Sequence, residues 1–432
     1  YLPFLGKIMT TIYDMAAGLD IHNRFIIGTI LTLNGKKDQR RFERTIDGIQ
    51  SLRDWITENK CPVVACESTN SFWYPINDYL SSVTKLIVGN AYDMKVLTHK
   101  KTDKIDSEVI ANLALRDMVP ASHIATKEQR DLRNLMRLRH FLVSKATDLK
   151  NRMHSLFQSE LFNLSSFLTD PFGKSGRVII DGIINGSSTE EILARIPREV
   201  YERKGSQLQE LLNQKISPAG IKQLKTCSEL LTSIQIQIKE LTQLARESVL
   251  ELYSREFSIL CSIPGVGEIT AMTLLAEIGN FKDFTSGDKL AAWVGLVPKV
   301  YQSADHNVRA GITKRGSKEV RWAMTQAAHA VTRKKGSRFR DFYEGKKDRL
   351  GASKTIIALA RKMLTIAWHL VVNDELYVEE NREPKQIPKR VKSIKVPLTH
   401  TLKEVIEIFV RAKQALDEPI DSEEVKIEDP PN

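Results

Sequence analysis

Four acids and one serine are the residues whose types and spacing could do chemistry. Asp20 closes a short apolar run in GLDIH, and Glu67 closes another in ACEST. Asp103 and Asp106 stand three apart in TDKIDSEVIA; on a helix, that spacing puts both on one face. Carboxylates at the ends of buried strands are costly unless a charged partner sits beside them. A divalent cation is such a partner, and hard oxygen donors suit Mg²⁺ or Mn²⁺ and not zinc. The competing reading of any one of these acids is a helix cap or a solvated surface residue.

Ser303 lies in YQSADHNVRAGITKRG, a glycine-bearing loop with His306, Arg309, Lys314 and Arg315 nearby and Arg321 just beyond. A hydrolase serine wants a histidine base and an acid to orient it, and no such acid is obvious here. An isolated hydroxyl is a weak nucleophile until something lowers its pKa. Metal held by the distant carboxylates can do that and can stabilise charge on a phosphate oxygen. His306 as a private base is the alternative, and an unreactive turn serine is a third. Arg309, Lys314, Arg315 and Arg321 are natural clamps on phosphate charge. Between Lys299 and Lys347 there are 13 Lys/Arg against 4 Asp/Glu, within a chain of net charge +11. A polyanion partner is expected, because each neutralised phosphate releases counterions.

SIPGVGEITAMTLLAEIG resembles a helix–hairpin–helix. Gly265 and Gly267 would let backbone amides approach a phosphate at a helix N-terminus, contacts that position nucleic acid without reading its sequence. A tight turn with no ligand is the other reading. Trp293 and Trp322 are candidates for stacking on bases or for core packing.

The elements that must carry these groups are legible from periodicity. Alternation through Leu19, Ile21, Phe25 and Ile27, with Asn34-Gly35 as a turn, predicts strands and a hairpin. Ile46, Ile49, Leu52 and Ile56 predict a helix; CPVVACE and TKLIVGN predict strands with a helix over about 71–81 between them. TDKIDSEVIANLALRD predicts a helix with Thr102 as its cap. This is a mixed α/β domain, residues 15–125. Leu132, Leu135, Arg139, Leu142, Ala146, Leu149, Met153 and Leu156 form a heptad seam with one polar member. Leu224, Cys227, Leu231, Ile234, Ile238, Leu241 and Ala245 repeat it. They predict an antiparallel coiled-coil arm or a dimer contact over 126–250, with a variable insertion at 158–219. A mostly helical domain follows at 251–377, then a polar, partly disordered tail at 378–432. Residues 1–15 are assigned no function.

Length alone, 432 residues, calls for two or three domains. Four cysteines without a CxxC pair or matching histidines argue against zinc and for a reducing compartment. No run approaches the roughly 20 apolar residues of a membrane span, and no charged-then-apolar leader is present. The expected location is the cytoplasm, with no membrane partner.

The segments GLDIHNRFIIGTI, ACESTNSFW and KTDKIDSEVIA resemble the catalytic segments of the DEDD transposases of the insertion-sequence 110 family, related to Piv-type invertases. IPGVGEITAMTLLAEIG and AAWVGLVPKVYQSADHNVRAGITKRGSKEVRW resemble their C-terminal domain. The likeness runs in order over about residues 16–375. It implies a RuvC-like (ribonuclease H-type) first domain with Asp20, Glu67, Asp103 and Asp106 as the DEDD set and Ser303 as nucleophile. It also implies donor and target DNA, a bridge RNA, and a homodimer assembling to a tetramer with shared active sites. Ala304 stands where the family usually has glycine, and alanine does not readily take positive φ.

Three other readings compete. A RuvC-like structure-specific nuclease would use the carboxylates and water without a serine. A sugar-kinase-like ATPase would need a second glycine-rich phosphate loop, and GVG is too short. A non-enzymatic nucleic-acid binder would keep only the hairpin.

Overall fold

The computed structural model describes residues 13–68, 71–90, 93–94, 106–122, 124–303, 306–314 and 316–379. The basic and acidic stretches of the tail, and all but the last three of residues 1–15, lie outside them.

The N-terminal region is a five-stranded mixed sheet in the order β3-β2-β1-β4-β5. Strands β1 (Met15–Ile21), β2 (Phe25–Thr32) and β3 (Lys37–Glu43) form an antiparallel meander. Gly35, at φ +78, supplies the left-handed residue of the turn between β2 and β3. β4 (Val63–Glu67) and β5 (Lys85–Gly89) add in parallel on the other side of β1. Parallel strands need crossovers. Helix α1 (Ile46–Glu58), capped by Thr45, lies between β3 and β4, and α2 (Trp73–Leu80) lies between β4 and β5. One face buries Leu19, Ile26, Leu52, Trp55, Ile76 and Leu80. The other buries Ala16, Val63, Ala65 and Ile87 beneath α3 (Ser107–Leu115). Met15 already belongs to β1, so the segment to which no function was assigned contributes a residue to the sheet.

Helix α4 (Lys127–Ser159) and the 45-residue α9 (Pro218–Ser262) run antiparallel. Arg139 Nε donates to Thr242 Oγ1 at 2.7 Å near one end of the pair, and Ser217 Oγ donates to Glu160 Oε1 at 2.6 Å at the other. The polar seam position is thus matched by a polar partner. Between them, residues 158–219 are not merely broken loop. They form α5 (Leu164–Phe167), α6 (Lys174–Asn185), α7 (Thr189–Arg195) and α8 (Arg198–Leu212). These pack Phe162, Ile179, Ile192 and Leu208 with Met153, Phe157, Leu224 and Leu231 of the long helices. The small and polar residues that interrupt the pattern serve as helix ends: Gly186 closes α6, Ser188 makes a capping box for α7, and Ser217 caps α9.

The C-terminal region is mostly helical. It comprises α10 (Glu268–Ile278), α11 (Gly287–Val294), α12 (Lys318–Val331), α13 (Arg338–Leu350) and α14 (Ala352–Asn373). Its core draws on Leu274, Met324, Leu359 and Met363, and also on Leu132, Met136, Ala245 and Val249 at the root of the arm. Among the described helices, α14 alone is long and apolar enough by composition to cross a membrane, although Arg361 and Lys362 interrupt its apolar residues. Its Ile356, Leu359, Ala360, Met363, Leu364 and Ala367 are buried in this core.

The segment read as a loop around Ser303 is a two-stranded antiparallel ribbon, β6 (Pro298–Ser303) and β7 (His306–Ile312). Clustered cations and glycine masked an alternation too short to register as strands.

Candidate nucleic-acid-processing site

Asp20 and Glu67 come together because β1 and β4 are parallel neighbours. Their register runs Ala17–Val64, Gly18–Ala65, Leu19–Cys66. One residue further, Asp20 and Glu67 stand side by side at the carboxyl ends of the strands, on the same face. This is the point where successive strands add to opposite sides of β1, the crevice where open α/β sheets bind ligands. Both carboxylates are partly exposed. Behind them Cys66 is fully buried; burial, aided by the charge of Glu67, pushes its thiol up to about 12.

Asp106 reaches this face by a different route from the one its spacing predicted. Helix α3 starts at Ser107, and Asp106 is its N-cap, with extended φ and ψ of −77° and 163°. Its Oδ1 accepts the Val109 amide at 2.9 Å. The shared helical face for Asp103 and Asp106 and the Thr102 cap are therefore corrected: aspartate is itself a preferred cap and ended the helix first. Asp103 lies outside the described residues.

The first turn of α3 sits directly on β1. A Cβ on Gly18 would lie 2.1 Å from the Ser107 carbonyl oxygen and 2.3 Å from the Ala111 amide nitrogen. Gly18 and Asp20 share a face, two residues apart, so the Asp106 cap hangs over the strand that carries Asp20. A buried polar cluster pins the seat. Thr29 Oγ1 and Ser107 Oγ are 2.7 Å apart, and Gln39 Nε2 donates to both at 2.8 and 3.3 Å.

Sequence reasoning passed over His22, whose Nε2 lies 2.9 Å from Asp20 Oδ2. The alternation in DIH, which returns position 22 to the face of position 20, was the available signal. Among the described residues, no three His, Cys, Asp or Glu side chains lie close enough together to hold a metal ion. The donor set nonetheless fits a hard cation in kind: carboxylate oxygens, two on adjoining strand ends and one from the cap above.

Ser303 is the last residue of β6, paired in register with His306, while Arg309 pairs with Val300. Ala304 and Arg315 lie outside the described residues. The ribbon is rooted through its backbone: the Thr313 amide donates to Val297 O at 2.9 Å and that of Lys314 to Gly295 O at 3.3 Å. Lys314 itself is exposed, with φ +55. Arg321 Nη1 donates to Val294 O at 2.7 Å and to Gly316 O at 3.1 Å, so this guanidinium braces the ribbon's return.

The two hairpin glycines part company. Gly265, at φ +88, has no room for a side chain, since a Cβ would lie 2.6 Å from Ala327 O and 2.9 Å from Val331 Cβ. Its smallness serves helix packing against α12. Gly267 faces open space at the N-cap of α10.

A second polar centre joins arm to C-terminal core. Glu277, 3% exposed, accepts from Arg137 Nε and Nη2 at 2.7 and 2.9 Å and from Ser317 Oγ at 3.0 Å. Arg133 donates to the carbonyls of Ala276 and Glu277 at 3.2 and 3.0 Å. The Glu277 carboxylate holds Arg137 above the usual guanidinium range.

Two family models match separate stretches of the chain. Residues 17–161 fit a family described as "Transposase", the DEDD transposase of the IS110 type, and 257–344 fit "Transposase IS116/IS110/IS902 family". The chain is similar to the transposase for insertion sequence element IS1111A of Coxiella burnetii, 27% identical over 72% of this chain and 78% of that protein. It is similar to the transposase for insertion sequence element IS1328 of Yersinia enterocolitica, 26% identical over 62% and 71%. A pilin gene-inverting protein of Moraxella bovis is 31% identical over 33% of this chain and 44% of its own length.

Proposed function

Because the chain belongs to the IS110 family of insertion-sequence transposases, enzymes that recombine DNA, we propose that it does so through a DNA–phosphoserine linkage at Ser303. A DEDD domain implies divalent-metal use. In this reading Asp20, Glu67, Asp103 and Asp106 hold Mg²⁺ or Mn²⁺ in a RuvC-like domain, residues 15–125. The observation that carries it is the pairing of Asp20 with Glu67 at the crevice under the Asp106 cap. The bound cation would offset charge gathering on phosphate oxygens.

The chain's own residues do the rest. Ser303 Oγ forms a bond to phosphorus as one P–O bond to a neighbouring sugar breaks, leaving that sugar a free hydroxyl. The serine proton passes to solvent, and the departing sugar oxygen takes up a proton from solvent. Attack by a hydroxyl of another strand reverses the step and releases Ser303, so strands are exchanged without loss of bond energy. Lys314, Arg309 and Arg315 balance phosphate charge, and Gly267 offers its open backbone to a phosphate.

The described part of the ribbon has no extensive packing with any element of the five-stranded sheet. This supports a composite site, with carboxylates from one chain and serine from another, in a homodimer that pairs into a tetramer on donor and target DNA. The arm at 126–250 and the domain at 251–377 supply the contacts, and a bridge RNA selects the DNA. The test mixes protein, guide RNA, DNA and Mg²⁺ and looks for a protein–DNA adduct. Ser303→Ala and Asp20→Asn should each abolish it, and their mixture should restore part of it. An adduct formed by Ser303→Ala alone overturns the nucleophile. Cleavage with no adduct favours a water-using nuclease, and a dead mixture with normal assembly returns the whole site to one chain.

A further inference from the structure

Both tryptophans weighed between stacking and core packing are substantially exposed, Trp293 at 36% and Trp322 at 46%. Phe141, on α4, is 53% exposed. These aromatics are not scattered. Trp293 and Phe141 line a single open cleft of about 650 Å³ between the arm and the C-terminal core. Its wall also includes His140, whose ring meets the Trp322 ring edge-on at 4.8 Å, marking one rim. The floor is the Glu277–Arg137–Ser317 cluster, and Lys318, its side chain 83% exposed and 3.8 Å from Glu319 Oε1, flanks the opening.

Apolar patches on a protein surface mark binding sites, and the charged groups of this one are Arg133, Arg137 and Lys318 together with Glu277 and Glu319. Lys145 lies 5.6 Å from the centre of the Phe141 ring. Aromatic faces for a base, with cations for its phosphates, are the combination that holds single-stranded nucleic acid. A duplex keeps its bases stacked inside and offers nothing for a cleft of this kind to hold. We propose that this cleft takes an unstacked nucleobase of a single strand between Trp293 and Phe141, with Lys318 on the adjoining phosphate. The occupant is the flipped or unpaired base itself, whether carried by RNA or by a displaced DNA strand. The proposal rests on the transposase reading only in that such an enzyme meets single strands; it needs neither Ser303 nor the carboxylates.

The full chain is titrated with fluorescent single-stranded RNA, single-stranded DNA and duplex DNA of one sequence, each with an abasic counterpart. Phe141→Ala and Trp293→Ala should each weaken single-strand binding by about tenfold, the scale of one lost base stack. Duplex and abasic affinities, and the salt dependence set by phosphate contacts, should stay unchanged. Trp293 leans on Phe284 at 5.4 Å between ring centres, so Trp293→Phe guards against misfolding and should keep most of the affinity. Photocrosslinking from 5-iodouracil should map to Trp293 or Phe141; the strand type that crosslinks identifies the source. Folded variants that bind single strands as wild type does, or that lose duplex and abasic binding equally, overturn the proposal. Because no cleavage is measured, Ser303→Ala can fail its own test without touching this one.

Discussion

Replacing Gly18 with alanine tests whether the seat of α3 sets the geometry of the acidic site. The new Cβ would stand 2.1 Å from the Ser107 carbonyl oxygen and 2.3 Å from the Ala111 amide nitrogen. Both are backbone atoms of the helix, so no side chain can swing aside. Restoring ordinary contact at about 3.4 Å moves the first turn of α3 outward by about 1 Å. Overpacking of this kind costs about 1–3 kcal/mol, which leaves a fold of ordinary stability intact. The Asp106 cap moves with the turn, and a misplacement of about 1 Å near reacting groups costs about 100-fold in rate. Urea unfolding followed by intrinsic fluorescence gives the stability loss, and strand cleavage with Mg²⁺ gives the rate. The expected result is a folded protein that binds nucleic acid normally and cleaves about 100-fold more slowly. Wild-type cleavage, with the stability loss present, would show that the placement of α3 over β1 does not govern the chemistry.

Two further outcomes follow from burial. Gly265→Ala meets Ala327 O and Val331 at positive φ and should destabilise by about 2–4 kcal/mol; Gly267→Ala faces open space and should cost under about 1 kcal/mol while weakening DNA binding in a gel-shift titration. Burial raises Cys61 to about 11 and Cys66 to about 12 in the folded state, above the unfolded thiol near 9. Their protonated forms therefore favour folding fully below about pH 9, and that contribution is lost as pH rises toward 11–12. Urea midpoints should fall over this alkaline window, and fall less in Cys61→Ala/Cys66→Ala.

What the residues disclosed depended on how local the cause was. Alternation and the Asn34-Gly35 turn marked β1 to β3, because burying one face of a sheet writes itself into every second residue. The heptad seams marked α4 and α9 for the same reason at another period. The helices of 158–219 were hidden because Gly186, Ser188 and Ser217 read as breaks, and capping looks like interruption when only composition is visible. Asp20 and Glu67 were found as strand ends, but their adjacency is a fact of parallel register, which no local pattern contains. Asp106 was expected on a helical face, whereas the structure makes it the extended cap of α3. Glu277 was invisible: its partners Arg137 and Ser317 come from positions 140 and 40 residues away in sequence, and only packing joins them.

The arm also fixes an order of events during synthesis. Leu132 and Met136 emerge with the first turns of α4, yet the elements packed against that root, α9 around Ala245 and Val249 and α10 (Glu268–Ile278), come more than 100 residues later. At roughly 5–20 residues per second, that is a delay of about 5–30 s. The sheet has no such debt, since every strand pair closes within residues 15–89. The helices of 160–217 likewise find their partners once α9 reaches Ile238. A nascent chain thus holds a finished sheet and a finished tip while the root of its arm still exposes apolar surface, and the ribbon bearing Ser303 is made only after both.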